Sequence, residues 1–153
     1  MTRWLIAHLN ELTESDCDSL TEIQQKFSIV HCPRSHAYFG HRSFQFKRLH
    51  QLGFNICLAT DSLASNDDLS LFAEMRAFHK KFPDVRPEKI LAMVTVNPAR
   101  ALARKHDLGK IRPDFLADMI AMPFKEPPDF YQTILNFVGQ VPWIMLSGKI
   151  TDT

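Results

Sequence analysis

The sequence predicts an α/β fold built on a parallel sheet, and two observations predict it. First, short apolar runs of strand character alternate with segments of helical period, three times in series between Trp4 and Phe78. Second, the third apolar run, Ile56-Cys57-Leu58-Ala59-Thr60, stops abruptly on Asp61, with Ser62, Ser65 and Asn66 close behind. A buried strand that ends on a carboxylate is how many α/β enzymes bring a metal ligand or a base to one face of the sheet. Asp61 is therefore the first candidate for chemistry.

Each element has its own justification. Trp4 to Leu9 reads as a buried strand. Thr13 to Phe27 reads as a helix, with Thr13 and Asp16 at capping-box spacing and Leu20, Ile23 and Phe27 on one face. Ser28 to Cys32 is the next strand, stopped by Pro33. Ser43 to Leu52 follows as a helix with Phe46 and Leu49 inward and Gly53 as its C-cap. Asn55 to Thr60 is the third strand, and a helix from about Asp68 carries Leu71, Phe72, Met75 and Phe78. Two more helices, Pro87 to Thr95 and Pro98 to Lys105, each have a proline in the first turn, where its missing N–H costs nothing. From His106 the texture changes. Leu108–Ile111 and Ala117–Met122 read as short strands joined by a turn at Pro113, Asp129–Phe137 as a short helix, and Val141–Leu146 as a last strand ending on Ser147-Gly148. The chain divides softly into residues 1–105 and 106–153.

Composition narrows the function classes. At 153 residues the chain falls short of the roughly 250 of a complete (β/α)8 barrel, so it is one ordinary domain or a piece of a larger one. A net charge of +1, with signs interspersed, argues against nucleic acid as the partner. Cys17, Cys32 and Cys57 lie far apart with no CxxC, which indicates neither a disulfide framework nor a cysteine-rich zinc site and fits a reducing compartment. No apolar run approaches the length of a membrane span, and the expectation is a soluble, cytoplasmic protein.

Five motifs in one order carry a resemblance. They are His8 near a strand end, His31-Cys32-Pro33-Arg34-Ser35-His36, Ala59-Thr60-Asp61-Ser62 with Ser65-Asn66 and Glu74-Met75-Arg76, Thr95 to Leu102, and Gly109-Lys110-Ile111 with Ala117-Asp118. Together they resemble the C-terminal half of the amidohydrolase superfamily, in the branch of chlorohydrolases and of cytosine, guanine and adenosine-type deaminases. The resemblance implies a partial (β/α)8 TIM barrel, equivalent to strands six to eight with their helices in residues 1–105, and part of a C-terminal β-sandwich with a closing helix and strand in 106–153. It implies a metal-dependent hydrolase acting on C–N or C–halogen bonds of a small molecule such as a heterocyclic amine, with zinc or iron as the divalent metal.

By the same resemblance Asp61 matches the aspartate that binds the metal and accepts a proton from its water, and His8 the histidine facing that water or the substrate. His8-Leu9-Asn10-Glu11 also has the H-x-x-E form of the family's fifth strand, but one strand alone lies between it and the strand of Asp61, which makes it the sixth and Glu11 a loop residue. Arg34, Ser35 and His36 follow the second strand on the side where barrel active sites lie. They are candidates for the substrate rim, with loop packing as the plain alternative. The family usually has Asn at the position of His36. His31, inside a strand, reads as a core histidine rather than a ligand, His41 as an exposed loop residue, and His50, His79 and His106 as solvated. Ser62 and Ser65 read as caps of the loop after Asp61, with Ser62 a candidate to hold the carboxylate.

The sequence contains no H-x-H pair and no fifth-strand histidine, whereas a catalytic zinc needs about three protein ligands. The chain is thus expected to bind metal poorly alone, as a truncated frame or one part of a split enzyme whose partner chain supplies the N-terminal barrel half. The alternative is a non-catalytic remnant or an association module pairing through an open sheet edge.

Overall fold

The computed structural model of the chain describes residues 4–24, 26–124 and 129–151. Three strands, β1 (Leu5–Ala7), β2 (Ser28–His31) and β3 (Asn55–Leu58), form one parallel sheet in the order β1-β2-β3. The connections carry α1 (Glu14–Glu22), then α2 (Pro33–Tyr38) and α3 (Phe46–Gln51), and after β3 come α4 (Leu71–Lys81), α5 (Pro87–Val94) and α6 (Val96–Ala101). A second, antiparallel sheet is built from β4 (Met119–Ala121), β5 (Trp143–Leu146) and β6 (Lys149–Thr151), with α7 (Phe130–Asn136) between β4 and β5.

The parallel register pairs Leu5 with Ser28 and Ser28 with Asn55, so side chains two residues apart share a face across all three strands. One face, carrying Ile29, His31, Ile56 and Leu58, is buried under Phe44, Phe46, Leu49, Met75 and Phe78 from the helical side. The opposite face is less covered: Leu5 and Ala7 are exposed, Ser28 and Val30 half-buried. Among the described residues β1 and β3 each pair on one side only. Leu135 of α7 belongs to the main core, and Arg76 of α4 donates to the Phe137 carbonyl at the end of α7, so this helix packs with the helices of the first sheet. No helix is long and apolar enough to cross a membrane among the described residues.

Local chemistry explains most boundaries. The capping box is present: Thr13 Oγ1 accepts from Asp16 N at 3.2 Å while Asp16 Oδ2 accepts from Thr13 N at 2.8 Å. The helix it opens ends at Glu22 rather than reaching Phe27, and Gln25, inside the expected span, lies outside the described residues. Ser43 to Gln45, expected as the first turn of the next helix, are not helical, and α3 starts at Phe46. Pro33 does more than end β2. Its fixed φ and missing N–H place it at the first position of α2, in a segment expected to be loop.

Two corrections concern the C-terminal part. Leu108–Ile111 is not a strand. Leu108 N is drawn back to Arg104 O at 2.9 Å, and Gly109, at φ +83°, lies so close to α6 that an added Cβ would stand 2.8 Å from the Thr95 carbonyl oxygen. A strand also exists where none was expected: β6 returns on β5 through Ser147 and Gly148, both at positive φ, as a right-twisting two-residue hairpin requires.

Gly109→Ala is expected to destabilise the chain by about 1–3 kcal/mol, combining a strained φ with overpacking against α6. Urea unfolding reads this as a lower midpoint at unchanged slope. An unshifted midpoint would mean the 104–116 turn does not pack on α6 as described.

Candidate active site

Because the strands are parallel and in register, their C-terminal ends open on one side of the sheet. His8 follows β1 there, and its backbone N continues the ladder by donating to Val30 O at 2.8 Å. Leu9 N then bonds Ala7 O at 2.9 Å, a three-residue turn that holds His8 at φ +68°. On β3 the ladder continues through Ala59 N to His31 O, and the chain turns at Asp61 with φ +60°. Positive φ is uncommon for residues other than glycine, and such strain clusters at functional sites.

Two hydroxyls hold the Asp61 carboxylate. Its Oδ2 accepts from Ser35 Oγ at 2.7 Å and from Ser65 Oγ at 3.1 Å. The Ser35 hydrogen bond is the largest influence and lowers the carboxyl pKa; burial, next in weight, opposes it, and Ser65, the charge of nearby His8 and the Ser62 backbone N–H keep the net shift below the ordinary range. The Ser62 hydroxyl accepts from Ala64 N at 3.3 Å and caps the loop, as expected, while it is the Ser62 backbone N–H rather than the hydroxyl that bears on the Asp61 carboxylate.

The expected rim residues have other partners as well. Ser35 is buried, at 1% exposure, and faces Asp61. The Arg34 guanidinium pairs with Asp67 and Asp68 on the loop after Asp61. His36 Nδ1 sits 2.9 Å from Asn10 Oδ1, and His41 Nδ1 sits 3.2 Å from Glu11 Oε1, which also accepts from Arg42 N. Asn10 and Glu11, just beyond His8, therefore clasp α2 and the loop that follows it. His31 is buried in the core at 3% exposure, stacked on Phe44 with ring centroids 3.9 Å apart. Burial, with smaller contributions from His36 and His8, pushes its pKa down to about 3, so the ring is neutral. His79 is half-buried, with a buried Nδ1 that finds no partner among the described residues, and is not the solvated residue expected.

One residue with a structural hold on the site went unassigned. Glu74 has no exposed surface; it accepts from Arg34 N at 3.0 Å and from Asn66 Nδ2 at 2.6 Å, and the same Asn66 amide donates to Thr60 O at 2.7 Å. Glu74 thus pins the start of α2, which carries Ser35, and the residue before Asp61. Burial raises its pKa, and the bonds from Arg34 and Asn66 oppose the rise. The clue was in the sequence: Leu71, Glu74, Met75 and Phe78 share one helical face, and a carboxylate amid core positions needs partners. Asn97 is also structural. Its side chain donates to Ile56 O at 2.8 Å and its carbonyl accepts from Asn55 Nδ2 at 2.9 Å, tying α6 to β3.

Among the described residues no three His, Cys, Asp or Glu side chains converge closely enough to hold a metal ion. Asp61 and His8 are two potential donors, fewer than the three protein ligands of a catalytic zinc site.

The sequence model of the amidohydrolase family matches residues 2–151. The chain belongs to that family. A curated relative, the 5-methylthioadenosine/S-adenosylhomocysteine deaminase of Pyrococcus furiosus, is 34% identical over 130 residues, covering 80% of this chain and 30% of the relative. Among solved structures, an adenosine deaminase of Xanthomonas campestris with bound zinc superposes with a TM-score of 0.81 at 25% identity, over 95% of this chain and 36% of that one. The aminofutalosine deaminase of Helicobacter pylori, in complex with methylthio-coformycin, also scores 0.81, at 28% identity over 97% of this chain and 37% of that one. The chain thus spans about a third of the length of these amidohydrolase relatives.

Two predictions follow from the geometry. Glu74→Ala should cost about 2–4 kcal/mol, because it leaves two buried donors unpaired and a cavity behind them, and should speed amide exchange across residues 60–66. Loss of stability without faster exchange there would show that Glu74 does not restrain the Asp61 loop. The second concerns acid. His31 has an ordinary pKa of 6.5 and about 3 in the folded chain, so its contribution to stability is full above pH 6.5 and is lost as pH falls from 6.5 towards 3. Glu74 acts oppositely, favouring the folded chain at low pH and losing that contribution as pH rises through its raised pKa. Replacing His31 by Phe, which retains the stack on Phe44, should therefore flatten the fall in melting temperature on the acid side of pH 6.5. An unchanged slope would contradict a buried, neutral His31.

Proposed function

We propose that this chain carries the C-terminal part of the catalytic barrel of a deaminase-type amidohydrolase. In this reading β1, β2 and β3 are barrel strands six, seven and eight, residues 1–105 are the barrel segment, and residues 106–153 contribute to a terminal β-sandwich. The observation that carries it is the Asp61 carboxylate, fixed by Ser35 and Ser65 at the strand end where β1 also delivers His8.

Asp61 stays ionised near neutral pH and is exposed, within reach of a ligand or a proton. It would contribute one ligand to a zinc or iron site completed by donors additional to the described set. A divalent metal, when bound, supplies the Lewis acidity that brings water into the range of a neutral-pH nucleophile. Asp61 then accepts a proton, His8 faces the reacting centre of the substrate, and Ser35 keeps the carboxylate aimed. Arg34 and His36 would border the substrate, which the family relatives suggest is an amino-substituted purine nucleoside or a similar heterocyclic amine. A partner segment would pair with the open sides of β1 and β3.

The test is co-expression with a segment supplying the first five strand-helix units of a related barrel. The expected result is a soluble complex that holds about one zinc or iron per chain through dialysis and deaminates 5′-methylthioadenosine or adenosine. Asp61→Asn in that complex should lower the rate by about 10²-fold or more, the scale of a lost acid-base group, whereas His106→Ala should leave it unchanged. Metal retained by the chain alone would overturn the ligand count. A metal-loaded complex whose activity survives Asp61→Asn would overturn the site. A complex that gains neither metal nor activity would favour the association-module reading.

A further inference from the structure

A groove of about 540 Å³ lies between α2 with its following loop and the last turns of α4, and neither Asp61 nor His8 lines it. Its volume falls in the range of small-molecule sites. Phe44 and Phe78, both buried, close it from below together with His31, and half-buried Phe82 forms one wall. The polar groups at its rim are cationic or imidazole: Arg34, His36, His41, Lys80 and Lys81, with no carboxylate among the lining residues.

The nearby acids are already engaged. Asp67 and Asp68 take the Arg34 guanidinium, Glu11 takes His41 and Arg42, and Glu74 takes the Arg34 backbone and Asn66. Lys80 and Lys81 are both exposed and make no ion pair among the described residues. Lys81 lies close enough to His36 for its charge to be felt by that ring. The imidazoles are held in place from behind, His36 by Asn10 and His41 by Glu11. The groove therefore combines an apolar, aromatic-backed wall with two unneutralised cations on one edge.

We propose that this groove binds a small organic carboxylate, with an apolar or aromatic body against the Phe82 wall and its charged head at Lys80 and Lys81. One anionic group on a hydrocarbon body matches one cationic edge on an apolar wall. A bare inorganic anion would leave the wall wet, and a neutral aromatic would leave both ammonium groups unmatched. The groove shares Arg34 and His36 with the proposed substrate rim, but its charged edge at Lys80 and Lys81 uses neither Asp61 nor a metal, so its occupancy is tested apart from the deaminase reading.

Titration of the uniformly ¹⁵N-labelled chain with benzoate, benzamide and inorganic phosphate, followed by amide correlation spectra, tests it. Benzoate should give saturable shifts confined to residues of the groove such as His36, Gly40, His41 and Lys81. Benzamide and phosphate should each bind about tenfold more weakly, the scale of one charged hydrogen bond or one buried apolar group. Lys80→Ala with Lys81→Ala should weaken benzoate about fivefold, the yield of partly exposed charges, while Lys105→Ala with Lys110→Ala should not. Equal binding of benzoate and benzamide, equal binding of phosphate, unsaturating shifts scattered over the surface, or indifference to the Lys80 and Lys81 substitutions would each overturn the proposal.

Discussion

The register of the parallel ladder governs everything else in this chain. Pairing Ala7 with Val30 and Val30 with Cys57 sets which side chains face the helices and fixes the end of the sheet from which His8 and Asp61 emerge. A slip of one residue would send Ile29, Ile56 and Leu58 to the less covered face and bring Asn55 and Val30 into the helical core. The penalty for that exchange is what makes so short a sheet specific. The Asn55 and Asn97 side chains add a second lock, since Asn55 bonds both Ser28 Oγ and the Asn97 carbonyl at the start of β3.

Within that frame two carboxylates, Asp61 and Glu74, sit in opposite environments on successive segments of the chain. Asp61 is near the surface, and the Ser35 hydroxyl favours its charged form. Glu74 is sealed in the core, and burial favours its neutral form although two N–H groups point at it. The contrast assigns them different work. The first is free to exchange protons or bind a cation, and the second is a fixed acceptor that holds α2 and the Thr60–Asn66 loop together.

The three strand-helix units were legible because periodicity and punctuation agree in them: apolar runs, the Thr13 and Asp16 capping box, and Pro87 in a first helical turn. Legibility failed where a residue has two uses or where tertiary contact overrides local pattern. Pro33 reads as a stop and is also a start. Leu108–Ile111 reads as a short strand, but Gly109 is pressed onto α6 instead. β6 escapes a sequence reading because Ser147-Gly148 reads equally as an end and as a turn. At the site, Asp61 stood out as the terminus of a buried run, whereas the support from Ser35 and Glu74 depends on contacts 26 and 40 residues apart in sequence, which no local pattern encodes.

The left-handed backbone at His8, Leu9 and Asp61 bears on how this sequence can change. Each such residue carries a conformational cost that glycine would not, so a drift towards greater thermal stability has a path through glycine at His8 and Asp61, whereas Leu9 also packs against the core. That path would erase the imidazole and the carboxylate along with the strain. A lineage that keeps His8 and Asp61 forgoes stability it could readily gain, and one released from selection on the strand ends should lose them early, before the helical core begins to erode.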